Sequence, residues 1–203
     1  VPVGAVATGY AARTGWFGSP NPPGIGTAES DSALNTESDD TEWLDLGGDD
    51  LPAVVASLYP DWLPLAPGVT RDALIARVTD SISQVEGLAQ ETYVRKAFEF
   101  ETYRDWIGAW ITAYDAGDST GQATAAAVLE DAADWPATAE TDGGGISDGM
   151  RAFAERIARG DREAAQALAQ SENAPSWDGI DRLALVIEIN NEAGVKFDET
   201  VLQ

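Results

Sequence analysis

The sequence predicts a mainly α protein, a compact bundle of about six helices preceded by an extended Gly/Pro/Ser/Asp-rich N-terminal arm. Three observations carry this expectation. From residue 50 onward apolar residues recur at spacings of three and four, Gly and Pro punctuate the chain at helix-length intervals, and no sustained two-residue alternation marks a strand. The chain therefore divides into an arm, residues 1–50, expected to dock on a neighbouring subunit, and a helical domain, residues 51–203.

Within the arm, residues 17–50 are rich in Gly, Pro, Ser and Asp and show no apolar period, so alone they cannot bury enough surface to offset their ordering entropy. Trp16, Phe17, Ile25, Trp43, Leu44 and Leu46 stand out as isolated apolar residues. They read either as anchors that enter pockets on a protein partner or as anchors that fold back onto the chain's own core. Asp39, Asp40, Glu42 and Asp45, followed by Asp49 and Asp50, supply oxygen ligands suited to hard cations. Their spacing does not match a twelve-residue calcium loop. The expectation is a loose atmosphere of K, Na, Mg or Ca ions and no dedicated cofactor.

The helices follow in order. Asp49 or Asp50 caps a short helix with Pro52 in its first turn, stopped by Pro60. After a proline-punctuated connector, 61–67, Thr70 caps an amphipathic helix with Leu74, Val78, Ile82 and Val85 on its inner face. A long helix spans Glu91 to Ala116, with Ala97, Phe98, Trp106, Ile107, Trp110, Ile111 and Tyr114 on one side and Gly117 closing it. An alanine-rich helix from Thr120 to Ala133 ends before Trp135-Pro136, and Ala137 to Ile146 reads as a flexible glycine loop. Ser147 caps a helix to Arg159 and Asp161 caps another to Gln170. Trp177 to Asn191 is decided for helix, over a buried strand at 185–187, by Asp178 as cap and Gly194 as stop.

Charge sets the strongest bound on function. The chain carries 12 Lys and Arg against 35 Asp and Glu, a formal charge of -23, with neither His nor Cys. Acid exceeds base in every quarter of the chain, and Lys96 and Lys196 are its two lysines. Such self-repulsion is compatible with a compact state where salt screens it, so the surface reads as halophilic. Phosphate neutralisation needs clustered bases, so no direct nucleic-acid binding is expected. No segment reaches the length of a membrane span, and no membrane insertion is expected.

Elimination narrows the chemistry further. Without His or Cys there is no catalytic triad and no common zinc, haem or iron–sulfur site. Glu99 and Glu101 lie near Tyr103, Trp106 and Trp110, a combination seen in glycosidase clefts, but residues two apart on a helix point in different directions. They read as solvated acids beside an aromatic seam. Lys96 reads as a surface lysine paired with an acid, since a nucleophilic role would require burial and a lowered pKa. Gly143-Gly144-Gly145 before Ser147 resembles a phosphate cradle, but Asp142 and Asp148 would repel an anion.

The expected function is a non-enzymatic structural or assembly subunit of a large particle from a halophilic system, a virion component such as a head–tail connector or adaptor. It would form homo-oligomers and contact other particle subunits, in the virion or the host cytoplasm. Two alternatives belong to other classes. One is a secreted or surface ligand-binding helical domain with Trp62, Trp106, Trp110 and Trp177 as stacking surfaces. The other is a carboxylate- and Mg-dependent enzyme, which predicts three or more acids converging in one pocket.

Overall fold

The structure is a computed structural model that describes residues 25–26, 43–85, 87–142 and 145–195. Helices dominate it: α1 (Leu51–Ser57), α2 (Arg71–Ile82), α3 (Glu91–Asp115), α4 (Ser119–Asp131), α5 (Pro136–Glu140), α6 (Ile146–Ala158), α7 (Arg162–Ser171) and α8 (Leu183–Glu192). The class read from the sequence, mainly α, is the class observed.

Helix α2 forms as its sequence demands. The Thr70 side chain accepts a hydrogen bond from the Ala73 amide at 3.2 Å, satisfying one free N–H of the first turn, and Leu74, Val78 and Ile82 are buried along one stripe. Thr70→Ala should therefore cost about 1 kcal/mol of stability, read as a shift in the denaturant midpoint with an unchanged slope. A cost near zero would mean that water replaces the cap.

Helix α3 is the axis of the fold. It packs against α2, α4, α5 and α7, so Val94, Phe98, Phe100, Tyr103, Ile107 and Trp110 are all buried although they point in every direction round the helix. The one-sided apolar face read from the sequence was too narrow, because a helix enclosed by four others has no solvent face along most of its length. Trp106 donates its indole N–H to the Pro64 carbonyl at 2.8 Å and thereby pins the proline connector to this axis. Helix α6 packs in turn on α4, α7 and α8.

Four local expectations are corrected. Three short strands, β1 (Ile25–Gly26), β2 (Trp43–Asp45) and β3 (Leu88–Gln90), form an antiparallel sheet with β3 in the centre. Its register pairs Ile25 and Leu44 with Ala89, and strands of two or three residues are too short to leave a periodic signal. Helix α5 occupies part of the expected glycine loop, because Pro136 at its first position starts a helix rather than merely ending α4. Ser147 does not cap α6; its hydroxyl is buried and donates to the Ala133 carbonyl at 2.9 Å, while Asp142 accepts from the Gly145 and Ile146 amides. Asp178 does not start α8 either, which begins at Leu183 with Asp181 accepting from its amide.

The end of the arm is joined to the body. Leu46 is buried in the chain's own core, Leu44 packs half-buried against it, and the Leu46 amide donates to the Gly87 carbonyl at 2.9 Å. Among the described residues, then, the chain already touches the helical body before residue 51.

Candidate functional site

The ionisable side chains that the fold takes out of water lie on and beside α3. Lys96, Glu99 and Tyr103 follow at spacings of three and four, which aligns them along one face of the helix. Lys96 is 3% exposed and Glu99 2%. Both expectations for these residues are overturned: neither the acid nor the lysine is a surface group. The enclosure of α3 on all sides is the reason.

Each grips one end of α5. The Glu99 carboxylate accepts from the Ala137 amide at 2.9 Å, the Thr138 amide at 2.7 Å and the Thr138 hydroxyl at 2.8 Å. These amides are the free donors of the helix's first turn, where negative charge is also favoured by the helix dipole. At the other end the Lys96 ammonium donates to the Thr141 hydroxyl, which itself donates to the Ala137 carbonyl at 2.7 Å. An anion thus holds the N-terminal end and a cation the C-terminal end of a five-residue helix that could not stand alone.

Burial tunes these groups. Desolvation pushes the Lys96 ammonium down to about 8, opposed by the nearby charges of Glu99 and Asp142. Desolvation also raises Glu99, opposed chiefly by its hydrogen bonds from Ala137 and Thr138 and then by Lys96. Chemically, a buried lysine of lowered pKa is what a nucleophilic role requires. In this geometry its nitrogen is directed at Thr141, and its work is to hold α5.

A second buried acid lies further along the same axis. Glu172 just follows α7, and one carboxyl oxygen accepts from the Ser171 hydroxyl at 3.2 Å while the other has no hydrogen-bond partner among the described residues. Desolvation pushes its pKa up to about 8, against smaller opposing effects from Ser171 and Arg104. Burial, with Glu172 nearby, raises Tyr103 well above its ordinary value. Arg104 bridges this region, donating to Glu101 at 2.8 Å and to the Asn173 carbonyl.

The residues singled out in the arm are distributed differently. Trp16, Phe17, Asp39, Asp40 and Glu42 lie outside the described residues. Ile25 and Trp43 contribute their backbones to β1 and β2. Asp45 is exposed and accepts from the Gly47 amide at 2.9 Å, while Asp49 and Asp50 are exposed at the start of α1. Among the described residues no group of three or more acids converges in a way that would hold a metal ion. Trp106 and Trp110 are core residues, whereas Trp62 is 49% and Trp177 40% exposed.

Comparison with protein-family models, with curated proteins and with solved structures finds no match.

Proposed function

We propose that this chain is a non-enzymatic structural or assembly subunit that works in concentrated salt, with a virion connector or adaptor as its specific form. The observation that supports this reading is how charge is divided. Each arginine from Arg71 to Arg182 is matched to at least one carboxylate of the same chain. These nine arginines are committed internally, and the chain's net charge of -23 is left for the solvent to screen. Arginines already paired are poorly placed to neutralise phosphates, which favours protein partners over nucleic acid. The buried Lys96 and Glu99 hold the chain's own helices, as expected of a subunit whose body must be a rigid block.

Absolute mass by light scattering, in multimolar KCl and again after dialysis to low salt, tests this reading. A discrete multimer at high salt that dissociates or unfolds at low salt is the expected result. A stable monomer in both buffers would overturn it. The exposed rings of Trp62 and Trp177 favour a second reading, a ligand-binding domain, which predicts that monomer together with a shift in tryptophan emission on adding an oligosaccharide.

A further inference from the structure

Where α3 meets the turn that follows α7, four polar side-chain atoms are shut off from solvent without a hydrogen-bond partner among the described residues: Arg104 Nε, Gln166 Oε1, Glu172 Oε2 and Ser176 Oγ. Two contacts place them in one seam. Arg104 donates through a terminal nitrogen to the Asn173 carbonyl, and one turn further along the same side of α3 a Cβ built on Gly108 would stand 3.9 Å from the Ser176 hydroxyl. Gln166 reaches the seam from α7, its side-chain amide donating to the Ser176 carbonyl at 3.3 Å. A buried polar group without a partner opposes the closed state, and here that cost falls four times in one place.

Glu172 is the worst placed of the four. It caps the C-terminal end of α7, where the last carbonyls repel negative charge. The titratable and charged groups that act on it from α3 are Tyr103 and Arg104, and the Arg104 guanidinium is already engaged by Glu101 and the Asn173 carbonyl. The closed seam therefore holds Glu172 as the neutral acid. Its neighbour Asn173 reverses the chain in the left-handed region, at φ 50°, and residues 172–182 belong to no helix or strand. The outer part of this stretch is fastened to α7, through Arg182 to Glu163 at 2.9 Å and through Gln170 to Asp181 at 3.0 Å. Its inner part is joined to α3 by the Arg104 to Asn173 bond and to the core by the buried Ala174.

We propose that residues 172–176 form a pH-gated flap, which parts from α3 while the rest of the body stays folded and is held open by ionisation of Glu172. Opening hydrates all four unpartnered atoms together and gives the carboxylate the water that the seam denies it. It also uncovers the Arg104 and Gly108 side of α3. The direction of the pH dependence follows from proton binding. Closed, Glu172 keeps its proton up to about pH 8; open, it releases it near the ordinary 4.5, so between these values the opening equilibrium grows about tenfold per pH unit and then levels off. The flap is independent of the assembly reading.

Ser176→Cys supplies the probe, in a chain with no native cysteine. The Ser176 hydroxyl is shielded in the closed seam, so a thiol at that position is labelled through opening. Its labelling rate, divided by that of a free thiol at the same pH, is followed in the full chain from about pH 5 to pH 9 at fixed KCl concentration, beside the global unfolding equilibrium of the same variant. The expected opening constant exceeds the global unfolding constant by at least about tenfold, rises up to about pH 8, and stays level with pH in S176C/E172Q. Deuterium exchange at the Ala174 amide, bonded to the Ala169 carbonyl at 2.7 Å, repeats the measurement without a substitution and should show the same rise once the intrinsic rate is divided out. Labelling and exchange that match global unfolding at every pH overturn the flap. Opening that is indifferent to pH, or that keeps its pH dependence in the E172Q background, overturns Glu172 as its gate.

Discussion

Glu99→Ala should destabilise the protein by about 3–5 kcal/mol, the cost of leaving several buried donors and a nearby buried charge unmatched. Three donors lose their acceptor at once: the Ala137 amide, the Thr138 amide and the Thr138 hydroxyl. Lys96 loses one of the two opposing charges, Glu99 and Asp142, that favour its ammonium form. The loss is measured as the change in denaturant midpoint at fixed KCl concentration. K96M/E99M, which replaces the pair with apolar groups of similar length, should recover part of the stability, since the charges themselves are costly to bury and only an unmatched one is ruinous. The α5 amides still lack an acceptor in that variant, so recovery should be incomplete. An E99A cost below about 1 kcal/mol would show that the Glu99 carboxylate is not what holds α5 in place.

Glu172→Gln should act in the opposite direction. The native carboxyl holds its proton up to about pH 8, whereas the same group in the unfolded chain releases it near 4.5. Between those values the folded state binds more protons than the unfolded state, so stability falls as pH rises. By pH 7 the loss reaches roughly 3 kcal/mol, as an upper figure. Gln is neutral in both states and removes this slope. Denaturation curves from about pH 5 to pH 9 should show the unmodified chain weakening more steeply with pH than E172Q, which keeps only the slopes of the other buried groups and is the stronger of the two at the upper end. Lys96 contributes a slope of the other sign, but in a higher window. Its folded value, about 8, lies below the ordinary 10.5, so between these the unfolded chain binds more protons and stability rises with pH. Parallel pH profiles for E172Q and the unmodified chain would sink the assignment.

Much of the helical order was legible in the residues themselves. Thr70, Gly117, Asp161 and Gly194 act as caps and stops where their chemistry predicts, because these signals depend on a few neighbouring backbone groups. The buried acids were not legible in the same way. Whether Glu99 faces water depends on a helix 38 residues later, and periodicity within α3 carries no record of it. One signal was present: Val94, Phe98, Phe100 and Ile107 occupy different sides of one helix, which implies enclosure and hence burial of its charged residues. Ser147 misled because capping propensity ignores a tertiary partner, Ala133, and Asp178 because its carboxylate is taken up by a local turn, accepting from the Ile180 amide and from Arg182 four residues on.

The grip of α3 on α5 also fixes an order of events. Five residues cannot nucleate a helix unaided, and both clamps come from a segment about forty residues earlier in the chain. The expected order is that helix α5 forms after α3 during folding and opens more readily than α3 in the native state. Its amides should exchange with solvent deuterium through a local opening of lower free energy than those of α3.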